Sequence, residues 1–264
     1  MSDVRLIIDP PSPGPWNMAV DEVLLMDAVD NGHATLRFYQ WSEPTLSLGY
    51  FQPFADRKQH FASRNCAIVR RQSGGGAILH DHELTYSLVL PPGDPLTRDA
   101  PHLYNAVHAA FIAALTKVSD DANTSPSLKC RGNQTSAETP VEPFLCFQRQ
   151  SPGDVVLTPP TDSIATRHLP RKVLGSAQRR HRGAILQHGS LLLEKSTSAP
   201  ELVGLSDLTG RLPSVQELIT AVCAELEFSC KIRLVPYQMS AELQSKAADL
   251  SNNKYGSRIW TNRR

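Results

Sequence analysis

Three short segments carry the residue types that could do chemistry. Cys146 sits in Pro143-Phe144-Leu145-Cys146-Phe147-Gln148. A thiol becomes a nucleophile when a nearby base or cation favours its thiolate. A cysteine ending an apolar strand is more often a small buried hydrophobe, so this segment alone does not decide. Lys172 opens a second segment, Arg171-Lys172-Val173-Leu174-Gly175-Ser176-Ala177-Gln178, followed by Leu186-Gln187-His188-Gly189-Ser190-Leu191. The small residues near Gly175 would let a ligand approach, while the ordinary alternative is a surface lysine starting an edge strand. The third segment is Arg70-Arg71-Gln72-Ser73-Gly74-Gly75-Gly76-Ala77-Ile78-Leu79-His80-Asp81. Its glycines free the backbone and let a ligand lie against bare main chain, and its arginines suit a phosphate or carboxylate. A glycine-rich turn with solvated arginines is the bland alternative. The segment lacks the Gly-Lys-Ser/Thr end of a P-loop and the spacing of a dinucleotide fingerprint.

These segments need elements to position them. Apolar residues at helical spacing predict helices over residues 17–29, with Asn17 as N-cap, and over 102–118, 214–226 and 241–250. Short β-branched and aromatic runs predict strands at 35–41 and 45–50, joined as a hairpin through Ser-Glu-Pro. Further strands are expected at 66–71, 77–80, 84–90, 144–147, 154–157, 173–178 and 183–194. Residues 120–142 read as a loop with room for a short strand, and 158–170 as a mobile loop. A basic, polar tail begins near 251. Strands and helices mix without strict βαβ alternation, so the expected fold is α+β: one domain over residues 1–264, with a mixed, largely antiparallel sheet flanked by helices.

Composition narrows the function. The chain has 264 residues, 41% hydrophobic and 20% charged, with a formal net charge of +1. That balance calls for neither nucleic acid nor an anionic membrane, although Arg179-Arg180-His181-Arg182 forms a local basic run that reads as a solvated turn or a docking site for an acidic carrier. No stretch reaches the roughly 20 apolar residues of a membrane span, and no secretory signal is evident. Five cysteines without paired short spacings argue against a disulfide framework or a metal site. Reduced thiols and a cytoplasmic location are the expectation.

Together the segments resemble the biotin/lipoate protein ligase and lipoyl-transferase family. Asn17-Met18-Ala19-Val20-Asp21-Glu22 is similar to its opening helix. The segment from Arg70 to His80 resembles its acyl-binding loop, and Lys172 with Gly175-Ser176-Ala177-Gln178 and Gln187-His188-Gly189-Ser190-Leu191 resembles its lysine segment and following strand. The likeness covers roughly residues 5–225, with Lys254, Tyr255 and Trp260 as candidates to extend it. Phe144-Leu145-Cys146-Phe147 is similar to the nucleophile setting of octanoyltransferases of the LipM type. Leu145 departs from the smaller branched residue usual there, and 158–170 is longer than expected.

The resemblance implies a biotin/lipoate protein ligase-like fold with Cys146 and Lys172 as catalytic residues. Cys146 would take an octanoyl group from acyl carrier protein as a thioester. Lys172 would supply the positive charge that favours the thiolate, and relay a proton as the acceptor lysine attacks. The acceptor would be a lipoyl domain or the glycine cleavage H protein. The implied acyl-binding residues are Arg71, Ser73, Gly74, Gly75, Gly76, Gly175, Ser176, Ala177 and Gly189, with His80 and His188 in support. No cofactor and no ATP are expected, since thioester exchange is near thermoneutral and thioester to amide is downhill. The short remainder after the last matching segment leaves little room for a ligase's accessory domain. An ATP-dependent lipoate–protein ligase, an octanoyl or lipoyl amidotransferase and a non-catalytic acyl- or carrier-binding protein remain the alternatives.

Overall fold

The computed structural model describes residues 2–118, 127–132, 142–158 and 170–264. In chain order its strands are β1 (Ser2–Ile8), β2 (Thr35–Tyr39), β3 (Thr45–Leu48), β4 (Ala67–Arg70), β5 (Ile78–His80), β6 (Glu83–Leu90), β7 (Ser127–Cys130), β8 (Val155–Thr158), β9 (Arg171–His181), β10 (Ala184–Leu192) and β11 (Ile232–Pro236). Its helices are α1 (Gly14–Asn31), α2 (Ala100–Val118), α3 (Leu205–Thr209), α4 (Val215–Cys230), α5 (Ala241–Leu250) and α6 (Arg258–Thr261). One sheet runs β11-β1-β2-β6-β10-β9-β8-β7, parallel across β11, β1 and β2 and antiparallel beyond. A smaller sheet runs β4-β3-β5.

Period-two alternation gives the large sheet two apolar faces. Leu84, Tyr86, Leu88 and Leu90 of β6 pack with Leu103, Val107 and Phe111 of α2 and with Leu218 and Val222 of α4. Val89 of β6 and Leu186 of β10 meet Val20 and Leu24 of α1 and Leu243 of α5. Each such leucine or valine contributes roughly 1.5–3 kcal/mol when fully buried. The result is the expected α+β arrangement, a mixed and mostly antiparallel sheet flanked by helices. Among the described residues no helix is long and apolar enough to cross a membrane. On β10 the same alternation puts His188 and Ser190 on the α1 face, with Leu186, and Gln187 on the α2 face.

Several expectations fail locally, each for a physical reason. The strands at 35–41 and 45–50 do not form a hairpin: β2 pairs with β1 and β6, while β3 pairs with β4 and β5 in the other sheet. Both edges of β2 are already taken, so the turn carries the chain between sheets. Residues 144–147 are not a strand. Leu145 makes one bridge to Ala77, and Cys146–Gln148 form a 3₁₀ turn. The run is apolar because Phe144, Leu145 and Phe147 pack against the small sheet.

Asn17 is no N-cap. α1 begins at Gly14 after Pro13, and Pro15 fits its first turn, where the absent N–H is no loss. The buried Asn17 side chain instead accepts from Arg37 Nη2 at 2.9 Å and donates to Ser12 O at 3.0 Å. The polar tail is a π-helical turn, Ser251–Tyr255, followed by α6, with Tyr255 buried and donating to Glu22 at 2.7 Å. The short strand allowed within 120–142 is β7. The loop expected at 158–170 lies mostly outside the described residues.

Candidate active site

Cys146 is anchored by the end of the glycine-rich loop. Its amide donates to Ala77 O at 2.7 Å, and Ala77 N donates to Phe144 O at 3.1 Å. The 3₁₀ turn leaves Cys146 half-buried at the meeting of two clefts. The inner cleft is mostly apolar, with Met18, Tyr39, Trp41, Ile78 and Phe147 among its walls. The outer, more open cleft is bordered by Tyr104, Cys130, Asp154, Lys172 and Gln178. Gly75, Cys146 and Ser176 border both.

Lys172 is the cation beside the thiol. Its ammonium Nζ lies 3.8 Å from Cys146 Sγ and 2.9 Å from Asp154 Oδ2. The lysine is only 6% exposed, so it is no surface residue. A register shift between Val155 and Val156, opposite Lys172, aims it inward. Gly175 makes room for it: a Cβ there would stand 2.2 Å from Lys172 Cε. The glycine therefore accommodates the lysine as well as lining the inner cleft.

Asp154, which the sequence did not single out, organises this corner. It accepts from Tyr104 Oη at 2.7 Å and from Ser151 N at 2.7 Å, besides pairing with Lys172. The Tyr104 hydroxyl in turn accepts from Ser176 N at 3.1 Å. Ser176 Oγ lies 2.7 Å from both His108 Nε2 and the Tyr86 hydroxyl. His108 Nδ1 must donate, because its partner is the Gly153 carbonyl at 2.7 Å. Burial pushes His108 down to about 4, so it is neutral and its Nε2 accepts from Ser176.

The glycine-rich loop is held by Arg71. Its buried guanidinium donates to Gly74 O at 2.8 Å, Gly76 O at 2.6 Å and Ser47 O at 3.0 Å. Burial pushes Arg71 down to about 10, with Cys146 opposing and Arg70 reinforcing. It stays cationic at neutral pH, a second positive charge beside the thiol. Gly75 has φ +90°, a region open to glycine, and is exposed at the cleft junction.

Two hydroxyl–imidazole–carboxylate arrays flank the inner cleft. Ser73 Oγ lies 2.5 Å from His188 Nε2, and His188 Nδ1 donates to Asp21 at 3.2 Å. Asp21 also takes Arg37 at 2.9 Å and Tyr39 at 3.1 Å. Burial pushes Asp21 up, but His188 and Arg37 together hold it below the usual carboxylate range. Ser47 Oγ lies 2.7 Å from His80 Nε2, and His80 Nδ1 lies 2.6 Å from Glu83 while its ring stacks on Trp41. Both serines are fully buried and neither lines a cleft. These arrays brace the glycine loop and β3, whereas the Cys146 thiol lines both clefts.

Of the sequence-derived residues, Arg71, Gly74, Gly75, His80, Cys146, Gly175, Ser176, Ala177, His188 and Gly189 line the inner cleft. Lys172 reaches the junction from the outer cleft. Ser73 stands behind the wall. Gly76 packs under it, where a Cβ would stand 3.1 Å from Phe144 O. Asp154, Tyr104, His108 and Glu83 went unmarked, and Asp21 entered only as part of the opening-helix motif; only the Gly-Asp step before an apolar run could have drawn attention to Asp154.

Known proteins are similar to this chain in sequence and in fold. Residues 13–203 match the lipoyl protein ligase A/B catalytic domain. The octanoyltransferase LipM of Kyrpidia tusciae is 31% identical, with 94% of each chain covered. That of Geobacillus kaustophilus is 30% identical over 96% of this chain and 95% of its own. Among solved structures, a putative lipoate protein ligase from T. acidophilum with bound lipoic acid shares the fold at TM-score 0.73 and 20% identity, with both chains fully covered. Lipoate-protein ligase A bound with ATP follows at TM-score 0.70 and 20% identity, covering 99% of each. With the family model matching most of its length and relatives matching nearly end to end, this chain belongs to the lipoyl protein ligase A/B catalytic domain family.

Proposed function

We propose that this acyltransferase works as one catalytic domain that moves an octanoyl group from acyl carrier protein, through a thioester on Cys146, to a lysine of a lipoyl domain or glycine cleavage H protein. The observation that carries the reading is Cys146 Sγ, 3.8 Å from the Lys172 ammonium, where an apolar cleft meets an open one. The octanoyl chain lies in the inner cleft, which Met18, Trp41 and Phe147 line. The relatives named octanoyltransferase, matched over nearly the whole chain, support the acyl group and the reaction class.

In the first step the Cys146 thiolate attacks the donor's thioester carbonyl. A C–S bond to Cys146 forms as the C–S bond to the donor breaks, and the donor sulfur leaves as its thiol with the proton that the Lys172 ammonium gives it. In the second step the acceptor amine attacks the Cys146 thioester from the outer cleft, forming the amide and releasing sulfur. Lys172, neutral after the first step, takes the proton from the attacking amine as Cys146 leaves as its thiolate, so the enzyme returns to its starting state. Asp154 and Tyr104 hold Lys172 in place throughout. No nucleotide is required, because the acyl group arrives already activated.

The test supplies octanoyl carrier protein and an apo lipoyl domain without nucleotide, and in parallel free octanoate with ATP. Product in the first reaction is the expected result. Product in the second alone would replace this reading with a ligase.

A further inference from the structure

One surface next to the site gathers positive charge and aromatic rings from segments far apart in the chain. Arg70 ties α6 to the segment after β3, donating to Thr261 O at 3.0 and 2.8 Å, to Gly49 O at 2.8 Å and to Gln52 O at 2.7 Å. The Trp260 indole donates back to Arg70 O at 2.8 Å. On this platform the Arg263 guanidinium lies 4.4 Å from the Tyr50 ring centre and 4.7 Å from that of Trp260. Arg264 lies 5.2 Å from the Phe51 ring centre. Arg179, near the end of β9, reaches within 5.8 Å of the same Tyr50 ring. Segments far apart in sequence thus place three guanidiniums on one aromatic patch, and Phe51 is 65% exposed.

No acidic side chain among the described residues neutralises these three guanidiniums, those of Arg179, Arg263 and Arg264, whereas Lys254 nearby is paired with Glu22. Arg70 is pushed down by burial and then by Arg263 and Arg264, with no acid opposing them. The whole chain carries only +1, so this is a local field and not a global excess. Like charges gathered without a counter-charge disfavour the free protein and favour an anionic partner.

The patch adjoins the way to Cys146. Phe51 Cδ2 lies 3.9 Å from where a Cβ on Gly74 would stand, and the next residue, Gly75, borders both clefts. Gln178, immediately before Arg179, borders the outer cleft. Resting on the function proposed above, we propose that Tyr50, Phe51, Arg179, Arg263 and Arg264 form the docking surface for the acidic carrier protein that delivers the acyl group. The guanidinium fork matches carboxylates and the phosphodiester of the donor's prosthetic arm, a group that the acceptor's lysine lacks. The exposed Phe51 ring and the half-buried Tyr50 ring offer apolar surface between those charges.

The test is the double variant R263E/R264E, which changes two exposed residues outside the clefts. Fluorescently labelled holo acyl carrier protein is titrated into wild type and variant at low and moderate salt. Binding should weaken about ten-fold or more in the variant, and its salt dependence should flatten. Acylation of Cys146 by a small uncharged octanoyl thioester, and KM for the apo lipoyl domain, should stay as in wild type. Unchanged carrier binding would overturn the proposal, as would a rise in KM for the lipoyl domain with carrier binding intact. Carrier binding lost in the variant, while neither donor acylates the wild type, would leave the surface standing and sink the catalytic reading instead.

Discussion

The ammonium of Lys172 lies between a carboxylate 2.9 Å away and a thiol 3.8 Å away, and both lysine and aspartate are nearly shut off from water. In such a setting its charge acts on sulfur with little screening. Lys172→Gln keeps an amide donor for Asp154 but removes the charge. Iodoacetamide labelling of Cys146 at pH 7 should then slow about ten-fold or more, with the far-UV spectrum unchanged. An unchanged rate would take Lys172 out of thiol activation. At this scale Cys146, Lys172 and the glycine run stood out through the family resemblance of their segments, each segment alone leaving a bland alternative open, and the structure brings them to one cleft junction. Asp154 did not stand out, because its role follows from the register shift between β8 and β9, which brings Lys172 to it. Gly175 was legible as a place for close approach, but Lys172 of its own strand takes part of that space.

Helix α2 both covers the sheet and supports the site. Leu103, Val107 and Phe111 bury one stripe, and Tyr104 and His108, one turn apart, hold Asp154 and Ser176. His108 is pushed by burial from its ordinary 6.5 to about 4. The unfolded chain thus takes up a proton near pH 6.5 that the folded chain refuses until about pH 4. The neutral histidine's stability is therefore fully present above 6.5 and lost as pH falls toward 4, on the order of 3 kcal/mol. His80, also pushed down by burial, adds in the same direction. Urea midpoints between pH 7 and 4.5 should fall more steeply for wild type than for His108→Gln; parallel slopes would refute the assignment. Helical periodicity made α2, α4 and α5 visible in the sequence, because each buries one stripe. The hairpin and the strand at Cys146 were misread because short apolar runs look alike whether they pair, cross between sheets or wall a cleft.

Over the whole molecule, the sheet and the glycine loop meet at Cys146, and the C-terminal turns are fastened to the strand that leads into that loop. Ala77 pins the Cys146 turn, β9 brings Lys172, and Arg70 fastens α6 beside the glycine loop. The C-terminal part was the least legible, because Lys254, Tyr255 and Trp260 read as a polar tail until Glu22 and Arg70 are seen as their partners. Two other thiols are poorer nucleophiles, since burial pushes Cys223 up to about 12, and burial and Asp154 both raise Cys130. The proposed chemistry stands on a covalent intermediate, and intact-protein mass spectrometry tests that most directly. Protein mixed with octanoyl carrier protein, and no acceptor, should gain one octanoyl group that hydroxylamine removes and peptide mapping places on Cys146. An adduct on another residue, or undiminished transfer by Cys146→Ala, would contradict it.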